Sequence, residues 1–224
     1  MTQLCPTTPH APLRRRSAFA RWRLGKALAI AGLTAAVGAM TGMAPPEPDP
    51  IPRRWQLDVE TGPLRIATFN VKDQGRLAYF YMTYTVTNNS GEDLLFAPAF
   101  EVAMDREVIR SGRNVPLDVT KSLLASTQIP GIEDQISIIG QILQGRENAK
   151  KGLVVWPANE LAPLELTVYA AGFSGETATV ERPDTKEKIV LRKTLMLRYA
   201  PPGDLTQYGQ TAIPLAEPSR WIMR

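Results

Sequence analysis

Histidine and cysteine are almost missing from this chain: in 224 residues each occurs once, as His10 and Cys5. Both stand in the first ten residues, so a protein without its leading segment would carry neither. That excludes disulfides, thiol nucleophiles, histidine-based triads and the usual zinc sites from the remainder. Acid is also missing locally. Residues 1–26 hold six basic groups (Arg14, Arg15, Arg16, Arg21, Arg23, Lys26) and no acid. The formal charge of +4 therefore belongs to this segment, because the rest has 20 basic and 22 acidic residues, a net of −2. A basic patch for nucleic acid is thus not expected.

Next to the basic segment stands an uncharged run of 18 residues, ALAIAGLTAAVGAMTGMA at 27–44. A basic region, an apolar region and a small-residue exit make the plan of an export signal, and Val37-Gly38-Ala39 fits a cleavage site. The alternative is an uncleaved N-terminal membrane anchor helix, since 18 residues is the short limit for a span. In both cases the remainder is expected outside the cytoplasm, periplasmic or anchored and facing the exterior, because the positive end stays inside. The membrane is a partner only through this segment, if it stays uncleaved. Residues 45–54 (PPEPDPIPRR) contain five prolines and read as an extended linker.

Residues 55–204 are of a size for one domain. Short apolar runs predict strands at 55–59, 64–71, 76–88, 94–96, 100–104, 152–156, 164–171, 178–180 and 189–199, with a short return at Val108-Ile109. The clearest is RLAYFYMTYTVTN at 76–88. Period two places Phe80, Met82, Tyr84 and Val86 on a core face, and Tyr79, Tyr81, Thr83, Thr85 and Thr87 on a face that can meet water. The middle changes period. Asp118 is the expected cap of a helix over 119–126. Ile132, Ile136, Ile139 and Leu143, at offsets 0, 4, 7 and 11, predict a second helix ending at Gly145. The fold class is therefore mainly β, an antiparallel β-sandwich with a helical insertion at about 117–145; a barrel is the alternative. Residues 205–224 form a tail whose Trp221-Ile222-Met223 is expected to dock back on the domain.

The strings YFYMTYTVTNNSGEDLLFAP, GRENAKKGLVVWP and LELTVYAAGFSGE resemble exported bacterial immunoglobulin-like domains of uncharacterised function. The resemblance covers about 55–200, and the ending Trp221-Ile222-Met223-Arg224 is similar to the tails of such proteins. It implies an immunoglobulin-like fold and an exported location. It carries over no catalytic residue.

Without His or Cys, catalysis would fall to carboxylates, and no motif selects a pair. The turn Asn88–Asp93 is rich in amides and acids and could hold Ca²⁺, but its spacing is not that of an EF-hand, and a hairpin turn explains it. Glu133 and Asp134 are expected at a helix start, where they complement the dipole. Lys121 and Ser122 are adjacent and so do not face each other on a helix. No catalytic residue, metal ligand or cofactor is assigned. The candidate interaction surface is aromatic: Tyr79, Tyr81 and Tyr169 as an exposed stripe for sugar or peptide, with Trp221 and Ile222 in the tail. The expected function is a non-enzymatic exported module that binds an envelope protein or glycan, or supports the envelope. The alternative is a carboxylate-dependent hydrolase of polysaccharide or peptide. An edge strand open to a partner strand is the most specific mechanism for the first.

Overall fold

The computed structural model describes residues 55–205 and 211–224. The expected signal or anchor (1–44) and the linker (45–54) lie outside the described residues, as do Cys5 and His10. The described chain is mainly β, with several antiparallel sheets and one short helix, an arrangement compatible with a β-sandwich.

The first sheet has five strands: β1 (Asp58–Thr61), β2 (Arg65–Val71), β3 (Gly75–Asn88), β7 (Ile132–Asp134) and β9 (Gly145–Pro157). β3 is its centre, because a 14-residue run of aromatic and β-branched residues suits a pleated surface. It pairs with β1 and β2 on one side and with β9 on the other. β7 joins β9 in parallel. The second sheet has six strands: β5 (Ala99–Met104), β6 (Glu107–Arg110), β10 (Leu166–Ala171), β11 (Thr177–Glu181), β12 (Lys188–Tyr199) and β13 (Arg220–Met223). Here β12 is the hub, pairing with β10, β11 and β13. A ribbon of β4 (Leu94–Phe96) and β8 (Gly140–Ile142) stands apart from both.

Alternation along each strand decides what is buried. Phe80, Met82, Tyr84 and Val86 of β3 meet Phe100, Val102, Val168, Leu195 and Leu197 of the second sheet in one core. Phe173 is the aromatic hinge of that core, with ring centres 5.8 Å from Tyr84, 5.3 Å from Phe96 and 5.6 Å from Phe100. Tyr84 lies over Gly152 of β9, and a Cβ at Gly152 would strike the ring. Burial, and then the Glu133 charge, push the Tyr84 hydroxyl well above its usual range.

The helix α1 (Leu117–Thr127) forms where the sequence places it, but Pro116 is its N-cap and Asp118 lies in the first turn. Val119 and Leu123 of α1 pack on the outer face of the first sheet, against Tyr79, Tyr81, Leu153 and Val155.

The second helix, expected over Ile132–Leu143, does not exist, so the helical insertion shrinks to 117–127. The segment forms β7, one turn and β8 instead. Asp134 accepts hydrogen bonds from the backbone N–H groups of Ile136 and Ser137 and from the Ser137 hydroxyl, closing the turn at its first step. Gly140 takes a φ of 154°, outside any helix. The buried residues are Ile138 and Ile142, while Ile136, Ile139 and Leu143 of the supposed stripe are exposed. Ladder bonds to β4 and β9 override a periodicity that isoleucine produces here by abundance. Gly145, the expected stop, opens β9.

Candidate interaction surface

The expected aromatic stripe is not formed. Tyr79 and Tyr81 are 1% and 7% exposed, because α1 covers the face on which they sit. Tyr169 lies on the other sheet, so the three tyrosines never meet. Its ring is capped by the Arg224 guanidinium, 4.2 Å from the centroid. Arg224 also donates to Glu101 Oε2 at 2.6 Å, and Arg110 donates to Glu101 Oε1 at 3.3 Å. Desolvation raises the Glu101 carboxyl, but the hydrogen bonds and charges of Arg224 and Arg110 outweigh it and hold it below the ordinary value. Tyr169 is thus one layer of a clamp that ties β13 across to β5.

Trp221 and Ile222 belong to β13, where Trp221 pairs with Leu195 and Ile222 with Thr194. Trp221 packs on the core, and Ile222 is buried. Their apolar area is used inside the molecule, so neither presents a free surface.

The acidic turn is equally occupied with its own backbone. Asn88 donates to the carbonyls of Glu92 and Ile142 and accepts from the N–H and hydroxyl of Ser90. Gln144 donates its N–H to Asp93 and its amide to the Glu92 carbonyl, and accepts from Gly91. This knot fastens the turn before β4 to the start of β9. Among the described residues no group of three or more acids or other metal-binding side chains could hold an ion. Also among the described residues, no helix is long and apolar enough to cross a membrane.

A feature that strand patterning alone does not bring out lies at the base of β11. Lys193 sits in the inward phase of β12 and its ammonium bonds Glu176 Oε2 at 2.7 Å, with both side chains at least nine-tenths buried. The ammonium also stands 5.7 Å from the Trp221 ring centre. A signal for it is present in the residues: one cation in the phase Ile189, Leu191, Lys193, Leu195, Leu197 calls for a buried partner.

Beyond this ion pair the hairpin of β11 and β12 leaves the body of the sheet as an arm. Arg192 marks the exit. It pairs with Thr177 on one side and exchanges both backbone bonds with Arg224 on the other. One face of the arm carries Ala178, Val180, Ile189 and Leu191, the direct continuation of the core face. The other carries Thr177, Thr179, Val190 and the end charges, and Val190 is 59% exposed. The bonds Lys193 N–H to Glu176 and Arg182 N–H to Glu187 fix the ladder phase. By antiparallel alternation, Ala178 and Val180 bond to β12, while Thr177, Thr179 and Glu181 turn their N–H and C=O groups outward. Among the described residues β12 is the only strand on β11.

The chain matches no protein-family model, no curated protein sequence and no solved structure.

Proposed function

We propose that the chain is an exported, non-enzymatic module with an immunoglobulin-like β-sandwich, serving as an interaction or structural component of the cell envelope. Strand pairing at the β11–β12 arm is the mode of contact. The observation that carries this reading is the outward row of backbone groups on β11, which no proline, bulge or inward charge interrupts. Such an edge is a template for another strand, and most folds blunt it. Export is supported by the basic, apolar and small-residue order of 1–44.

The test uses the full chain with a C-terminal tag and a photo-crosslinking residue at Glu181. In intact cells the tag is expected to be accessible to protease once the outer barrier is opened, and illumination is expected to yield a discrete cross-linked species. A tag protected together with cytosolic markers would remove the export reading. The absence of any adduct would remove the arm as the contact.

A further inference from the structure

We infer that the outward edge of β11 pairs with the same edge of a second copy of this chain, joining two arms into a four-stranded antiparallel ribbon across a two-fold axis. This rests on the reading of the arm as a strand-pairing surface and names its partner.

A two-fold contact uses one patch twice, so the patch must complement itself. β11 reads Thr177-Ala178-Thr179-Val180-Glu181 and is close to palindromic in character about Thr179. With Thr179 opposite its own copy, Thr177 of one chain faces Glu181 of the other at each end. Ala178 faces Val180. All three outward residues then fall in hydrogen-bonded positions, and no like charges oppose each other. The apolar pair extends the face that already carries Ile189 and Leu191, so the ribbon gains one continuous apolar side.

The arm also needs a neighbour on physical grounds. Past Lys193 it has only two strands, and a two-stranded hairpin is marginal in water while three or more strands with an apolar face are not. The β1–β2 edge of the first sheet is less available. Leu57 donates its N–H to Phe173, and Leu64 accepts from Ile213, so both ends of the β1–β2 edge are already bonded. β13 begins just after Pro218 and carries Arg220 at its start, which blunts it.

Sedimentation equilibrium on the full chain in density-matched detergent is expected to show a species of twice 24.7 kDa. Thr179→Pro removes an N–H that β12 does not use, so the arm keeps its ladder while the dissociation constant rises by at least about ten-fold. Thr177→Glu is expected to weaken the dimer and Thr177→Lys to tighten it at low salt, because this position faces Glu181 of the second copy. In a Cys5→Ser background, Thr179→Cys is expected to form a disulfide-linked dimer on mild oxidation, and Val190→Cys is not. A monomer at every concentration, a dimer indifferent to Thr179→Pro, or Thr177→Glu and Thr177→Lys moving in the same direction would overturn the inference. Purified monomer together with a cellular adduct to another protein, lost in Thr179→Pro, would overturn self-pairing and leave the strand-pairing function standing. If neither dimer nor adduct responds to Thr179→Pro, both readings fall.

Discussion

Two residues, Glu176 and Lys193, form an ion pair whose side chains are both buried. Removing both charges from water costs several kcal/mol, and the short bond between them offsets that only while both are present. Lys193→Ala is expected to lose about 3–5 kcal/mol, because a buried carboxylate is left without its cation. Replacing the pair together, as Glu176→Leu with Lys193→Met, is expected to be close to neutral or stabilising. Urea midpoints of the three proteins measure both. At Glu101 the effect depends on pH. Its folded carboxyl lies below the ordinary value of 4.5, so its contribution is complete above that pH. It is lost as the pH falls through the lower folded value. Glu101→Gln is therefore expected to flatten the acid side of the stability–pH curve and to leave Arg224 free of its strongest partner.

At the scale of elements, α1 is a cover. Leu123 is 2% exposed and stands over the tyrosine face of β3 and β9. Leu123→Ala is expected to cost about 2–5 kcal/mol in urea unfolding and to make Tyr79 and Tyr81 respond to solvent in ultraviolet difference spectra. In the arm, amides of Thr177, Thr179 and Glu181 are expected to exchange hydrogen faster than those of Ala178 and Val180 in any monomer. Elements whose alternation is strong were readable from the residues: β3, β10 and β12 appear close to where the pattern puts them. The failure at 132–143 has a plain cause. Isoleucines at 132, 136, 138, 139 and 142 fit a helical stripe and a strand equally well, and only the neighbours β4 and β9 choose between them. The tyrosines failed for a related reason. Period two separates the two faces of β3, but a single strand says nothing about a helix that arrives from further along the chain and buries the one expected to meet water. The open edge of β11 was legible only as a possibility, since which strand lies at an edge is a property of the whole sheet.

At the scale of the molecule, both sheets share one core, and the aromatic cluster around Phe173 takes rings from each. Unfolding is therefore expected to be a single transition, with tryptophan fluorescence and far-ultraviolet circular dichroism giving the same midpoint. Two offset transitions would show that the sheets come apart separately. The arm is the part that need not share in this, because it lies past the core and leans on β12 alone.

The sharing of that core also sets a timetable. Met82 and Tyr199 touch in the finished protein and are 117 positions apart in the chain. The inner face of β3 is synthesised early; Phe100 and Val102 of β5 follow soon after, but the rest of its cover comes only when β10 and β12 have emerged. A ribosome that releases the polypeptide from its N-terminal end thus delivers β3 with only the short strands β4 and β5 to close upon until most of the chain is out. Refolding from urea should accordingly take milliseconds to seconds rather than microseconds, as contacts this distant in sequence demand. Truncation anywhere before β12 should leave an aggregating remnant and not a smaller stable domain.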